Sequence, residues 1–108
     1  MDSKNISINL LNEFEELKKI LIKENEKNWA RGILAIIEKI ERALSKDEAL
    51  SNEYLEEACN IWKIMEQGNG AFSDFYIWRD DLKERKKAND ELVSVKNNIW
   101  LIVNENNL

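Results

Sequence analysis

Apolar positions along this chain recur three and four residues apart in four blocks, the period of helices with one buried face. The first block predicts a helix from about Ser7 to Glu24. Leu10, Phe14, Leu17 and Leu21 form its stripe, Leu11 and Ile20 flank it, and Ser7 is the expected N-cap. The second runs from about Asn28, its expected cap, to Leu44. Trp29, Ile33, Ile36, Ile40 and Leu44 form its stripe, widened by Ala30 and Ile37. It is the most apolar helix and is expected at the centre. Gly32 lies inside it, where it either permits a close helix approach or is simply tolerated. The third runs from about Asn52 to Gln67, burying Leu55, Ala58, Cys59, Trp62 and Met65, with Gly68 as the residue that ends it.

The pattern then changes. Gly68-Asn69-Gly70 marks a loop. Phe72, Phe75, Tyr76, Ile77 and Trp78 follow within seven residues. Ser73 is placed to cap a short helix, with Phe72 and Ile77 as a hydrophobic staple. A helix here would spread these side chains around most of its circumference, so no single core face could take them all. Either the segment is wrapped on several sides or part of it awaits a partner. Arg79 to Asp90 is polar except for Leu82 and Ala88, as an exposed helix or a linker would be. A last helix is expected from about Ala88 to Asn104, with Leu92, Val95, Ile99, Trp100 and Val103 as its stripe. Val93, Leu101 and Ile102 make it unusually apolar. The expected architecture is all-α: one compact antiparallel bundle of four to five helices over residues 1–108, with residues 1–5 and 105–108 frayed.

Composition supports helices. Proline is absent and there are three glycines in 108 residues, too few turn formers for a β-rich domain. One cysteine, Cys59, excludes an intrachain disulfide. It falls on an apolar face, as a core thiol would. The polar start Met1-Asp2-Ser3-Lys4-Asn5 does not resemble a signal peptide, and no apolar run approaches membrane-spanning length, so the cytoplasm is the expected compartment. The net charge of −5 argues against nucleic acid as the main partner. The basic run Lys83, Arg85, Lys86 and Lys87 is interrupted by Glu84 and preceded by Asp80 and Asp81, as on a solvated surface.

Histidine is absent. That removes Ser-His and Cys-His nucleophile systems and imidazole metal ligands. Gly68-Asn69-Gly70 lacks the Lys-Ser/Thr ending of a phosphate loop. Carboxylates remain. Pairs three apart, Glu13/Glu16, Glu38/Glu41, Glu53/Glu56 and Asp81/Glu84, are as frequent as random placement of this many acids would give. Glu38-Lys39-Ile40-Glu41 with Glu57-Ala58-Cys59-Asn60 nonetheless resembles the Glu-x-x-Glu and Glu-x-x-Asp signature of all-α nucleotide pyrophosphohydrolases. Those enzymes bind Mg²⁺ and a nucleoside triphosphate with four carboxylates on two helices. Here Asn60 stands where the last acid would be. That resemblance implies a metal site at Glu38, Glu41, Glu57 and Asn60. Otherwise no cofactor is expected.

Two features point to a protein partner. Between Lys46 and Lys63 lie five acids and no base: Asp47, Glu48, Glu53, Glu56 and Glu57. They either complement the helix dipole or form a docking surface that steers a basic partner. Four tryptophans are many for this length. Trp29, Trp62 and Trp100 sit on stripes, whereas Trp78, beside Tyr76 and Arg79, is either core or an interface anchor.

Trp29-Ala30 opening the second helix, the Gly68-Asn69-Gly70-Ala71-Phe72-Ser73-Asp74-Phe75 turn, and Ala88-Asn89-Asp90-Glu91-Leu92 in the last helix together resemble a family of small helical bacterial proteins. In that family a Gly-x-Gly turn precedes a short apolar segment, a polar loop and a terminal helix. Its members resemble the immunity proteins that bacteria pair with polymorphic or contact-dependent toxins. The likeness covers roughly residues 10 to 104. It implies a non-catalytic role in binding a toxin, which the acidic balance suggests is a basic one. The 47–57 acids are then expected to steer, and Tyr76, Trp78 and Arg79 to anchor. A homo-oligomer paired through the last helix is the remaining expectation.

Overall fold

A computed structural model describes residues 2–68 and 70–108, so Asn69 of the expected loop lies outside the described residues. Four helices run α1 Ser3–Lys23, α2 Lys27–Leu44, α3 Glu48–Glu66 and α4 Leu82–Glu105, with one 3₁₀ turn at Phe72–Asp74. There is no strand among the described residues. The fold is an all-α up-down-up-down bundle, 48 Å long and 22–23 Å across. Helix α1 packs against both α2 and α4, and α2 packs against α3.

The stripes meet as their spacing requires. Leu10, Phe14, Leu17 and Leu21 of α1 face Ile33, Ile36 and Ile40 of α2 and Leu55 and Trp62 of α3, all buried. Leu92, Ile99 and Val103 seal the core from α4. Gly32 allows a close approach: a Cβ there would lie 2.7 Å from the sulfur of Met65 on α3.

The helix starts depart from expectation, and capping is the reason. Asp2, not Ser7, caps α1, accepting from the Lys4 and Asn5 N–H groups, while Ser7 is buried inside the helix. Glu26 precedes α2, with no side-chain cap from Asn28. α3 begins at Glu48, four residues before the expected start, with Asp47 capping it through the Leu50 N–H. Turn α1–α2 is a Schellman closure: Asn25 takes φ +60°, Glu26 N–H reaches Leu21 C=O and Asn25 N–H reaches Ile22 C=O. The chain end repeats it, with Asn107 at φ +56° and Leu108 N–H on Val103 C=O. Of the termini expected to fray, Met1 lies outside the described residues, Asp2 caps a helix and Leu108 packs on the core. Lys4 Nζ donates to the C=O groups of Ala43, Leu44 and Lys46, tying the start of α1 to the open carbonyls at the end of α2.

The largest difference lies between α3 and α4. No α-helix forms over 73–78: Ser73 lies inside the 3₁₀ turn and caps nothing. Asp74 Oδ2 instead accepts from Gly70 N–H at 2.7 Å, closing the turn in which Gly70 sits at φ +75°. Phe75 is extended, and through residue 79 the chain stays out of any helix with burial alternating from one residue to the next.

Candidate functional site

Extended backbone has a period of two, and that resolves the aromatic crowding. Phe75, Ile77 and Arg79 point inward, and Tyr76 and Trp78 point outward. Phe72, fully buried at the head of the segment, is the packing hub. Its ring lies 5.3 Å from that of Trp29, 6.1 Å from Trp62 and 5.8 Å from Phe75. Lys96 Nζ sits 4.2 Å over the same ring and donates to Phe72 C=O. That ammonium is paired at 2.9 Å with Glu66, whose other oxygen accepts from Trp100 Nε1. With side chains only 12% and 8% exposed, Lys96 and Glu66 form an ion pair that joins α4 to the last residue of α3 around Phe72. The segment's core role thus falls on Phe72, Phe75 and Ile77.

Tyr76 and Trp78 are surface residues, 56% and 61% exposed, and Leu82 beside them is 70% exposed. They stand on a projecting shoulder. Asn98 bonds Glu13, and Ala88 and Lys23 line one concavity. This register sets the end of α1 level with about Lys87, so Leu82–Lys86 runs roughly 7 Å past it at 1.5 Å per residue. None of those residues is buried, so those turns need no apolar stripe, which is why 79–90 reads as polar. It is helix from Leu82, capped by Asp81.

Side chains from α4 and α1 hold the segment on this shoulder. Ile77 N–H donates to Asn89 Oδ1 at 2.9 Å, and Asn89 Nδ2 donates to Ile77 C=O at 2.8 Å and to Arg85 C=O at 2.9 Å. Arg85 Nε donates to Arg79 C=O, and its guanidinium lies 3.6 Å from the centre of the Trp78 ring. Trp78 Nε1 donates to Asp80. Arg79, expected to be a partner anchor, is committed internally. Its two Nη groups bond both oxygens of Glu24 at 2.7 and 2.5 Å, a bidentate pair at the end of α1. The guanidinium holds the Glu24 carboxyl below its ordinary range against the opposing effect of burial. Between Tyr76, Leu82 and the Arg85–Asn89 face of α4 lies an open groove.

The structure does not gather the other expected site residues here. Asp47 and Glu48 sit at the opposite end of the molecule, where α3 begins beside Ser3: Ser51 accepts from Ser3 in a buried pair. The 21 residues of α1 separate the two ends by about 30 Å. Glu53, Glu56, Glu57 and Asn60 share one face of α3, opposite the buried Leu55, Ala58 and Trp62. Glu57 pairs with Lys39 at 2.9 Å and Glu38 with Arg42 at 2.7 Å. Glu38, Glu41, Glu57 and Asn60 therefore do not converge. Among the described residues no three His, Cys, Asp or Glu side chains stand close enough to hold a metal ion. Cys59 is buried, and desolvation pushes its thiol up to about 11. On α4, Val95, Trp100 and Ile102 pack on the core, leaving Val93 and Leu101 exposed. No helix is long and apolar enough to cross a membrane among the described residues.

Reading from sequence missed Glu24, Leu82, Arg85 and Asn89. Leu82 carried a signal, as a lone leucine in a polar run. Asn89 lay within the resembling Ala88-Asn89-Asp90 stretch. Comparison with known protein families, curated proteins and solved structures found no match to this chain.

Proposed function

We propose that this chain is a non-catalytic protein-binding module of the immunity type, acting in the cytoplasm. It neutralises a cognate toxin by occluding the toxin's active or substrate-binding surface. One observation carries the reading: two large aromatics, each more than half exposed, stand on a segment whose backbone is held from beneath by Asn89, Arg79 and Arg85. Exposed aromatics normally cost solubility without return. Held rigid beside an arginine and a groove, they match the anchors that dominate protein interfaces, with little ordering entropy left to lose on binding.

The outward acids Glu53 and Glu56 favour encounter with a basic partner, while Glu57 is met by Lys39 and Asp47 and Glu48 serve as the cap and first turn of α3. The resemblance to immunity proteins supplies the class of partner. Co-expression with the product of the adjacent reading frame tests this. Growth is restored by the intact protein and lost again with Tyr76→Ala/Trp78→Ala. An adjacent product that is harmless, or that stays toxic in the presence of this protein, removes the reading.

A further inference from the structure

Resting on that reading of the shoulder, we infer that the partner sets a carboxylate on Arg85 and an aliphatic side chain in the groove beside it. Arg85 is held in place and left without an anion. Of the four arginines, Arg42 meets Glu38, Arg79 meets Glu24 and Arg31 stands exposed. Arg85 is half-buried, lies 3.6 Å from the centre of the Trp78 ring and bonds Arg79 C=O through Nε. Among the described residues it makes no ion pair, and neither of its Nη groups has a hydrogen-bond partner.

The carboxylates of the shoulder are engaged elsewhere. Asp80 accepts from Trp78 Nε1, at the edge of the ring whose face Arg85 covers. Asp81 caps α4, Asp74 closes the Gly70 turn, and Glu24 holds Arg79. Asp90 pairs with Lys86 at 2.6 Å. Glu84 lines the concavity on the α1 side with Lys23 and Arg79. Around the groove, Arg85 and Lys86 are balanced by Asp80 and Asp90, so net charge does not choose the occupant. Unfilled donors do. A guanidinium fixed by stacking offers its two Nη groups as a fork that a carboxylate fills with parallel bonds, as Glu24 does on Arg79. Its side-chain freedom is already spent, so binding costs less order. Tyr76 and Leu82, 56% and 70% exposed, wall the adjoining groove of about 460 Å³ and offer an apolar side chain a seat beside that carboxylate.

The probe is the capped peptide acetyl-Leu-Glu-Leu-amide, compared with its isosteric glutamine version and titrated into the full chain by NMR. The glutamate peptide is expected to shift the Trp78 Nε1 and Arg85 Nε resonances together. It should bind at least about tenfold more tightly than the glutamine peptide, the worth of a hydrogen bond to a charged group. Arg85→Lys keeps the charge and loses the fork, so it should remove that preference. Five outcomes overturn the inference: no binding of the glutamate peptide, equal binding of the two peptides, shifts that spare Trp78 and Arg85, a preference that persists in Arg85→Lys, or displacement of the peptide by an equal concentration of inorganic phosphate. Should Arg85→Lys not fold, the ratio of the two peptides on the parent protein still decides. Preference for the glutamate peptide without toxin neutralisation removes the immunity reading and leaves the arginine site. Neutralisation that Arg85→Lys leaves unchanged does the reverse.

Discussion

Asn89 holds Ile77 as a neighbouring strand would: its side-chain amide accepts from the Ile77 N–H at 2.9 Å and donates to the Ile77 C=O at 2.8 Å. One side chain on α4 thereby fixes an extended segment that belongs to no sheet. The bond pair sets which residues of the segment face the core and which face solvent.

Replacing Asn89 by alanine leaves both Ile77 groups without a partner. The expected cost is about 1–3 kcal/mol of stability by urea unfolding. Amide exchange at Ile77 should accelerate while the α1–α2 core stays protected. Asn89→Asp keeps the acceptor and loses the donor, so it should fall between.

Phe72 is buried among Trp29, Trp62 and Phe75 and lies beneath Lys96. Phe72→Ala should cost about 3–5 kcal/mol through the cavity it leaves. Glu66→Ala should also be severe, on the order of 3 kcal/mol, because it strands the Lys96 ammonium in a mostly dry site. Glu66→Leu with Lys96→Leu should recover most of that loss. A double-mutant cycle in urea measures the coupling.

The Glu24–Arg79 pair gives the shoulder an acid dependence. Arg79 lowers the Glu24 carboxyl below its ordinary value of 4.5. A lowered native value means that the contribution is complete above 4.5 and is lost as pH falls through the native value. Release of the 75–80 segment is therefore expected only below that point. The difference in fluorescence between the protein and its Trp78→Phe variant should report it. Glu24→Gln should abolish the transition and show the released signal at neutral pH.

Burial holds the Cys59 thiol up at about 11, so it should resist thiol reagents at pH 8 in the native state. Labelling should become rapid only in denaturant, and its rate in the native state should track global unfolding.

The bundle was legible because each helix buries a stripe, and a stripe leaves a period in the sequence. Leu10, Phe14, Leu17 and Leu21 could be placed on one face by counting. The α4 start was not legible for the same reason reversed: Leu82–Lys86 buries no side chain, so no period marks it. The helix caps were misplaced because Asp2 and Asp47 precede turns with few buried apolar residues. The aromatic segment carries no local mark of its period, because the choice between two and 3.6 depends on Asn89, twelve residues from Ile77. The division between Phe72 inside and Trp78 outside follows from that long-range contact.

The central claim is that the outward half of this segment serves a partner and the inward half serves the fold. The measurement that tests it most directly pairs two assays on Tyr76→Ala/Trp78→Ala: thermal unfolding, and neutralisation of the product of the adjacent reading frame. The account predicts stability within about 1 kcal/mol of the parent, since neither side chain is buried, together with loss of neutralisation. A variant that unfolds easily, or one that remains stable and still neutralises, would contradict it.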